Sequence, residues 1–203
     1  MSPLSELHLD ALTEIFNIGA GRAASSLSEI VGEEVKLSVP RIQLYQSAEI
    51  STQSLLLNSP RLGAVSQHFS GPFEADAMLL FTEERALEIV RDMMGSQLTL
   101  EELAEYEQEA MCELGNIILN ACLSSMADIF SITLDSSLPT YSVNSSEVIL
   151  QQIIAAADQP LILALHIDLT IERRHSEGSL IFLLSSTSLQ ELLSHVERFV
   201  SGI

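Results

Sequence analysis

The stretch Asp10-Ala11-Leu12-Thr13-Glu14-Ile15-Phe16-Asn17-Ile18-Gly19-Ala20-Gly21, followed by Pro40, decides the architecture because the chain spells its pattern twice. Asp10, Glu14, Asn17 and Pro40 recur 99 residues later as Glu109, Glu113, Asn116 and Pro139. Over the 31 positions from Asp10 to Pro40, nine match their counterparts: Ala11, Glu14, Asn17, Ile18, Ser25, Ser26, Ile30, Ser38 and Pro40. A repeat at fixed spacing implies two similar structural units. Most positions differ between the copies, yet the Glu and the Asn stand in both.

At about 100° per residue, Leu4 to Val31 reads as one amphipathic helix. Leu12, Ile15, Phe16, Ala23, Leu27 and Ile30 form its apolar stripe. Asp10, Glu14 and Asn17, at i, i+4 and i+7, share the opposite face, which Gly21 and Ser28 extend. Gly32-Glu33-Glu34 ends the helix. Strands are expected over Val35–Tyr45 and Glu49–Leu57, then a hairpin of Leu62–Phe69 and Phe73–Phe81, then a helix over Glu83–Met94 closed by Gly95. The series begins again with a long helix from Leu100 or Glu101 to Phe130. Strands near Leu138–Val143 and Glu147–Ala155 follow, with a hairpin of Pro160–Ile171 and Ser179–Ser185 and a closing helix over Thr187–Val200. The expected fold is α/β of the α+β type. It is one internally duplicated domain over 1–203, with repeats at 4–98 and 100–203. Its two halves are related by approximate two-fold symmetry, with antiparallel strands and two long helices on one face.

Composition narrows the function. The formal net charge is −19, with 28 acids against nine Lys and Arg. Such a surface repels phosphate backbones, so nucleic acid is not an expected partner, whereas a group carrying positive charge is. Cys112 and Cys122 fall on one helix about 15 Å apart, too far for a disulfide, and are expected to be buried apolar groups in a reducing compartment. No Cys or His lies at metal-ligand spacing from another, so no metal site is expected. The N-terminus lacks a basic start and an apolar stretch. The most apolar segment noted, Val148–Ile167, is broken by Gln151, Gln152 and Asp158-Gln159-Pro160. A cytoplasmic chain with no membrane insertion is expected.

Glu and Asn on an exposed helical face have three readings. A carboxamide both donates and accepts hydrogen bonds, so it can aim a water molecule, as the Gln of small GTPases does. A carboxylate beside it could grip a cationic group. Alternatively, Asp10 and Glu14 could collect a hard cation such as Mg²⁺, although the Glu-x-x-His of di-iron helices is missing. The third reading is an ordinary solvated face, which a single E-x-x-N would favour and the duplication opposes. Gly19-Ala20-Gly21-Arg22-Ala23-Ala24 matches a dinucleotide fingerprint but lies inside the helix instead of between strand and helix. Gly19 is expected to allow close helix packing, and Gly21 to leave room for a partner. Asn120 replaces Gly21 in the second copy. Pro40 and Pro139 read as shaping residues at strand edges.

The duplicated [D/S]-x3-E-x2-N-x22-P pattern, with Ala11–Gly21 and Glu113–Ile117 as its two helices, resembles the CheC family of chemotaxis phosphatases (the CheC/CheX/FliY type). The resemblance spans the chain. It implies hydrolysis of the aspartyl phosphate on a CheY-type response regulator. Asn17 and Asn116 would orient the attacking water, and Glu14 and Glu113 would pair with the regulator's lysine. Mg²⁺ would belong to the regulator, leaving this chain without a cofactor of its own. Asp10, Gly21, Glu109 and Asn120 would face the partner. Glu109 departs from the family's Asp or Ser, so it and Asn120 make the second site the more crowded. The resemblance further implies a stand-alone, monomeric form, with the deamidase CheD as another partner. The competing class is a non-catalytic adaptor for a regulator, CheD or the flagellar switch.

Overall fold

Among the described residues, eight antiparallel strands form one sheet, and its order places the two halves of the chain side by side. In the computed structural model, residues 4–46, 49–51, 59–94, 99–155, 161–171 and 174–202 are described. The elements are α1 (Glu6–Val31), β1 (Val35–Leu37), β2 (Arg41–Gln46), β3 (Arg61–Ser70), β4 (Ala75–Thr82), α2 (Glu83–Met94), α3 (Leu100–Phe130), β5 (Asp135–Ser136), β6 (Thr140–Ser145), α4 (Ser146–Ala155), β7 (Leu161–Ile171), β8 (Arg174–Leu184) and α5 (Ser186–Ser201). The sheet runs β1-β7-β8-β4-β3-β5, with β2 also on β7 and β6 also on β3. Each half thus lends its first two strands to the hairpin of the other.

The registers are related in the same way. Arg41 faces His166, while Thr140 faces Ser66. Leu37 faces Leu169, while Ser136 faces Phe69. Leu79 of β4 and Leu180 of β8 face one another at the middle of the sheet.

Alternation along the strands gives the sheet two apolar faces. Ala75, Ala77, Leu79 and Phe81 of β4 join the main core under α1, α2, α3 and α5. Met78 and Leu80 join a smaller core capped by α4. Both long helices therefore lie on one face, as expected. Their ends are set locally. Ser5 caps α1 through a capping box with His8, and Gly32, at φ 75, closes it. Thr99 caps α3 through a capping box with Glu102.

Four expectations need correction. Glu147–Ala155 is helix, not strand. Its apolar run is too short for period alone to decide. Ser145 Oγ accepts from Val148 N, and Ile149 and Ile153, one turn apart, bury on a single side. Strand Val35–Tyr45 is split at Ser38–Pro40, because proline has no N–H to give a ladder. Glu49–Ser51 is not strand, and the rest of Glu49–Leu57, like Gly95, lies outside the described residues. Ile30 leaves the core stripe and is 46% exposed.

The helix long and apolar enough to cross a membrane is the Glu105–Phe130 part of α3, not Val148–Ile167, and 61% of its apolar window is buried inside the fold. The neighbours of α3 are α1, α2, α5 and the sheet. Cys122 sits on this buried side, and burial pushes its thiol up to about 12. Only the thiolate is nucleophilic. Alkylation at pH 8 should therefore spare Cys122 in the folded protein and reach it after denaturation, read by peptide mass spectrometry. Cys112, expected to be buried, is only partly so, with its Sγ–H directed at the Pro139 carbonyl at 3.8 Å.

Candidate functional site

The same faces that bury α1 and α3 leave the repeated polar residues outside. Ala11, Leu12, Ile15, Phe16, Ala23 and Leu27 are buried on α1; Ala110, Met111, Leu114, Cys122 and Met126 are buried on α3. Asp10, Glu14, Gly21, Glu109 and Glu113 are exposed, and Asn17, Asn116 and Asn120 are half-buried. Helical spacing puts each Glu one turn before its Asn. Pro40 is buried immediately before β2, and Pro139 is half-buried immediately before β6. Both prolines therefore sit at strand starts, where a missing donor is tolerated.

The two amides differ in their surroundings. Neither end of the Asn17 side chain has a hydrogen-bond partner among the described residues, and neither is shut away from solvent. Asn116 Oδ1 accepts from Asn120 Nδ2 at 2.6 Å and from Gln67 Nε2 at 3.5 Å. Asn120 Nδ2 also donates to the Asn116 carbonyl, and Gln67 Nε2 to the Ser137 carbonyl at 2.7 Å. Gln67, 3% exposed, comes from β3 beneath α3.

Both repeats expose large apolar side chains. Leu7 and Val39 of the first repeat are exposed, as are Tyr106 and Leu138, which lie beside the second site. Each of the last two lies 99 residues beyond its counterpart, so the repeat itself could have singled them out. At the second site a groove of about 730 Å³ is lined by Ile30, Met93, Met94, Tyr106 and Leu138 together with Glu109, Glu113 and Asn116. This explains where Ile30 goes. Gln67 was not legible beforehand, being far from the motif in sequence. Among the described residues, no group of three or more His, Cys, Asp or Glu could hold a metal ion.

A model of the CheC-like family matches residues 7–43, which span Glu14, Asn17 and Pro40. The chain is 25% identical over 144 residues to the CheY-P phosphatase CheC of Bacillus subtilis, covering 70% of this chain and 68% of that protein. The chain is thus similar to the CheC-like family. It is also 27% identical over 138 residues to the flagellar motor switch phosphatase FliY of B. subtilis, covering 67% of this chain but only 35% of FliY. Among solved structures, Thermotoga maritima FliY superimposes with a TM-score of 0.80 at 21% identity, covering 97% of this chain and 99% of that one. A chain of the FliG–FliM complex from H. pylori gives 0.66 at 16% identity, over 94% and 100%. The CheX–CheY–BeF3–Mg complex of Borrelia burgdorferi gives 0.54 at 16%, over 85% and 97%. These structural likenesses establish the α+β fold of the chain.

Proposed function

We propose that this CheC-like chain is a phosphatase acting on the aspartyl phosphate of a CheY-type response regulator. The observation that carries this is the pair of half-exposed asparagine amides, each one turn beyond an exposed glutamate on the outer face of a long helix. Docking places an amide beside the phosphoryl group. Water held by Asn17 or Asn116 forms a bond to phosphorus while the bond from phosphorus to the aspartyl oxygen breaks. The carboxylate leaves with the bonding pair, and the proton of the water passes to the released phosphate. Positioning and electrostatics supply the rate. Mg²⁺ is the regulator's own.

Glu14 and Glu113 offer carboxylates to the regulator's lysine. An exposed pair of this kind contributes about 0.2–1 kcal/mol, and more once docking excludes water. Leu7 with Val39, and Tyr106 with Leu138, supply apolar contact around each site. Asp10, Gly21, Glu109 and Asn120 line the approach. We take the chain as a duplicated unit, with repeats at 4–98 and 100–203, acting as a cytoplasmic monomer. The matched registers of β2 on β7 and β6 on β3 support that duplication.

The test is the dephosphorylation rate of a phosphorylated regulator with Asn17→Ala plus Asn116→Ala, where loss of activity with retained binding is expected. Replacing Glu14 and Glu113 together by Ala should weaken binding and lower the rate roughly tenfold, at about 1.4 kcal/mol per factor of ten. An unchanged rate would remove the lysine-gripping role. The likeness to FliM favours a second reading, an adaptor that docks on a regulator, CheD or a switch component without hydrolysis. That reading predicts binding but no dephosphorylation by the parent protein.

A further inference from the structure

The two candidate sites carry the same Glu–Asn pair but not the same chemistry. Oxygen and nitrogen of an amide are told apart by their partners. Asn120 donates to the Asn116 backbone carbonyl, which can only accept, so the Asn120 atom there is Nδ2. The Asn116 atom 2.6 Å from that nitrogen must then be an acceptor, Oδ1. Gln67 gives the same answer independently. Its Nε2 is fixed by the Ser137 carbonyl and faces the same Asn116 atom at 3.5 Å. Two backbone carbonyls thus lock the Asn116 amide with its oxygen engaged. Its Nδ2 has no partner among the described residues and is not shut away from solvent.

The first site lacks both grips. Gly21 stands where Asn120 stands, and a Cβ built on it meets nothing within 4 Å. By the strand registers, Ile167 of β7 takes the place of Gln67 and cannot donate. A water that attacks phosphorus is best held by an acceptor for its proton as well as a donor for its oxygen. Asn17 offers both. Asn116 offers a donor alone, suited to a phosphoryl oxygen more than to water.

We propose that Asn120 and Gln67 are positioning residues that lock Asn116 by its oxygen, so that hydrolysis runs chiefly at Asn17 and the second site binds the regulator with low turnover. This rests on the phosphatase reading above.

The experiment measures kcat for dephosphorylation and, separately, affinity for the BeF3-loaded regulator. Asn17→Ala should lower kcat at least tenfold, and Asn116→Ala less than threefold. Adding Asn120→Gly to Asn17→Ala should raise kcat at least threefold, and adding Asn116→Ala to that pair should abolish the gain. The reciprocal Gly21→Asn should lower kcat in the parent. Equal losses for Asn17→Ala and Asn116→Ala would overturn the proposal, as would no gain from Asn120→Gly. Side-chain amide exchange by NMR reads the lock without any activity. The Asn120 NH2 should exchange more slowly than that of Asn17, and equal exchange also overturns it. A parent protein without phosphatase activity would sink the phosphatase reading and, with it, the assignment of turnover to Asn17, while the NMR result still decides the lock.

Discussion

Replacing Asn17 and Asn116 together by alanine is expected to lower regulator dephosphorylation by about 100-fold or more, while the BeF3-loaded regulator binds within about twofold of the parent. The magnitude follows from positioning, because about 1 Å of misplacement of a reacting group costs about 100-fold. Each amide is only half-exposed, so its loss removes little contact area from a docking face. Leu7, Val39, Tyr106 and Leu138 all remain to hold the partner. Both side chains are outside the apolar core, so circular dichroism should not move, and stability should fall only by what the Asn116–Asn120 hydrogen bond supplied, about 0.5–1.5 kcal/mol. A double variant as active as the parent would end the assignment of these amides. The size of the loss also separates hydrolysis from adaptor behaviour, since an adaptor has no rate to lose.

Gly19→Leu is expected to destabilise the fold by about 3 kcal/mol or more, a fall in Tm of about 6–12 °C, at roughly 2–4 °C per kcal/mol for a chain of this size. A Cβ at Gly19 would lie 2.6 Å from Cys122 Cα and 3.1 Å from the Ala121 carbonyl oxygen. Those atoms are backbone, so α1 and α3 must separate. Even Gly19→Ala should destabilise, despite the roughly 1 kcal/mol that Ala gains over Gly within a helix. Gly21→Ala is the control: its Cβ meets nothing, so only the propensity gain remains and Tm should rise. Opposite signs at two glycines two residues apart are hard to obtain unless the helices touch at Gly19. Denaturant unfolding of the three variants checks this.

The motif and its face were legible in the sequence because they are local. Glu14 and Asn17 lie within one turn of each other, and the helical period alone puts them opposite Leu12, Ile15 and Phe16. The same holds for the hairpin of β3 and β4, whose strands are adjacent in the chain. The role of Gly19 was readable too, since a small residue on a buried stripe announces close approach. α4 was not readable. Its apolar run fits either a buried strand or one turn-spaced helical face, and the cover it provides over Met78 and Leu80 settled the matter. Ile30 lay on the apolar stripe by phase, but the core ends short of it, beside the second groove.

The sequence by itself determined that two identical Glu-Asn pairs stand on two amphipathic helices 99 residues apart, because helical phase depends only on neighbours along the chain. The tertiary structure alone decided that each half lends its opening strands to the other half's hairpin. It also decided that Gln67 comes up beneath Asn116 to take part of its oxygen's bonding capacity. Residues 67 and 116 share no period and no turn. What brings them together is the burial of one sheet face under α3, a free energy summed over the whole core instead of any local pattern.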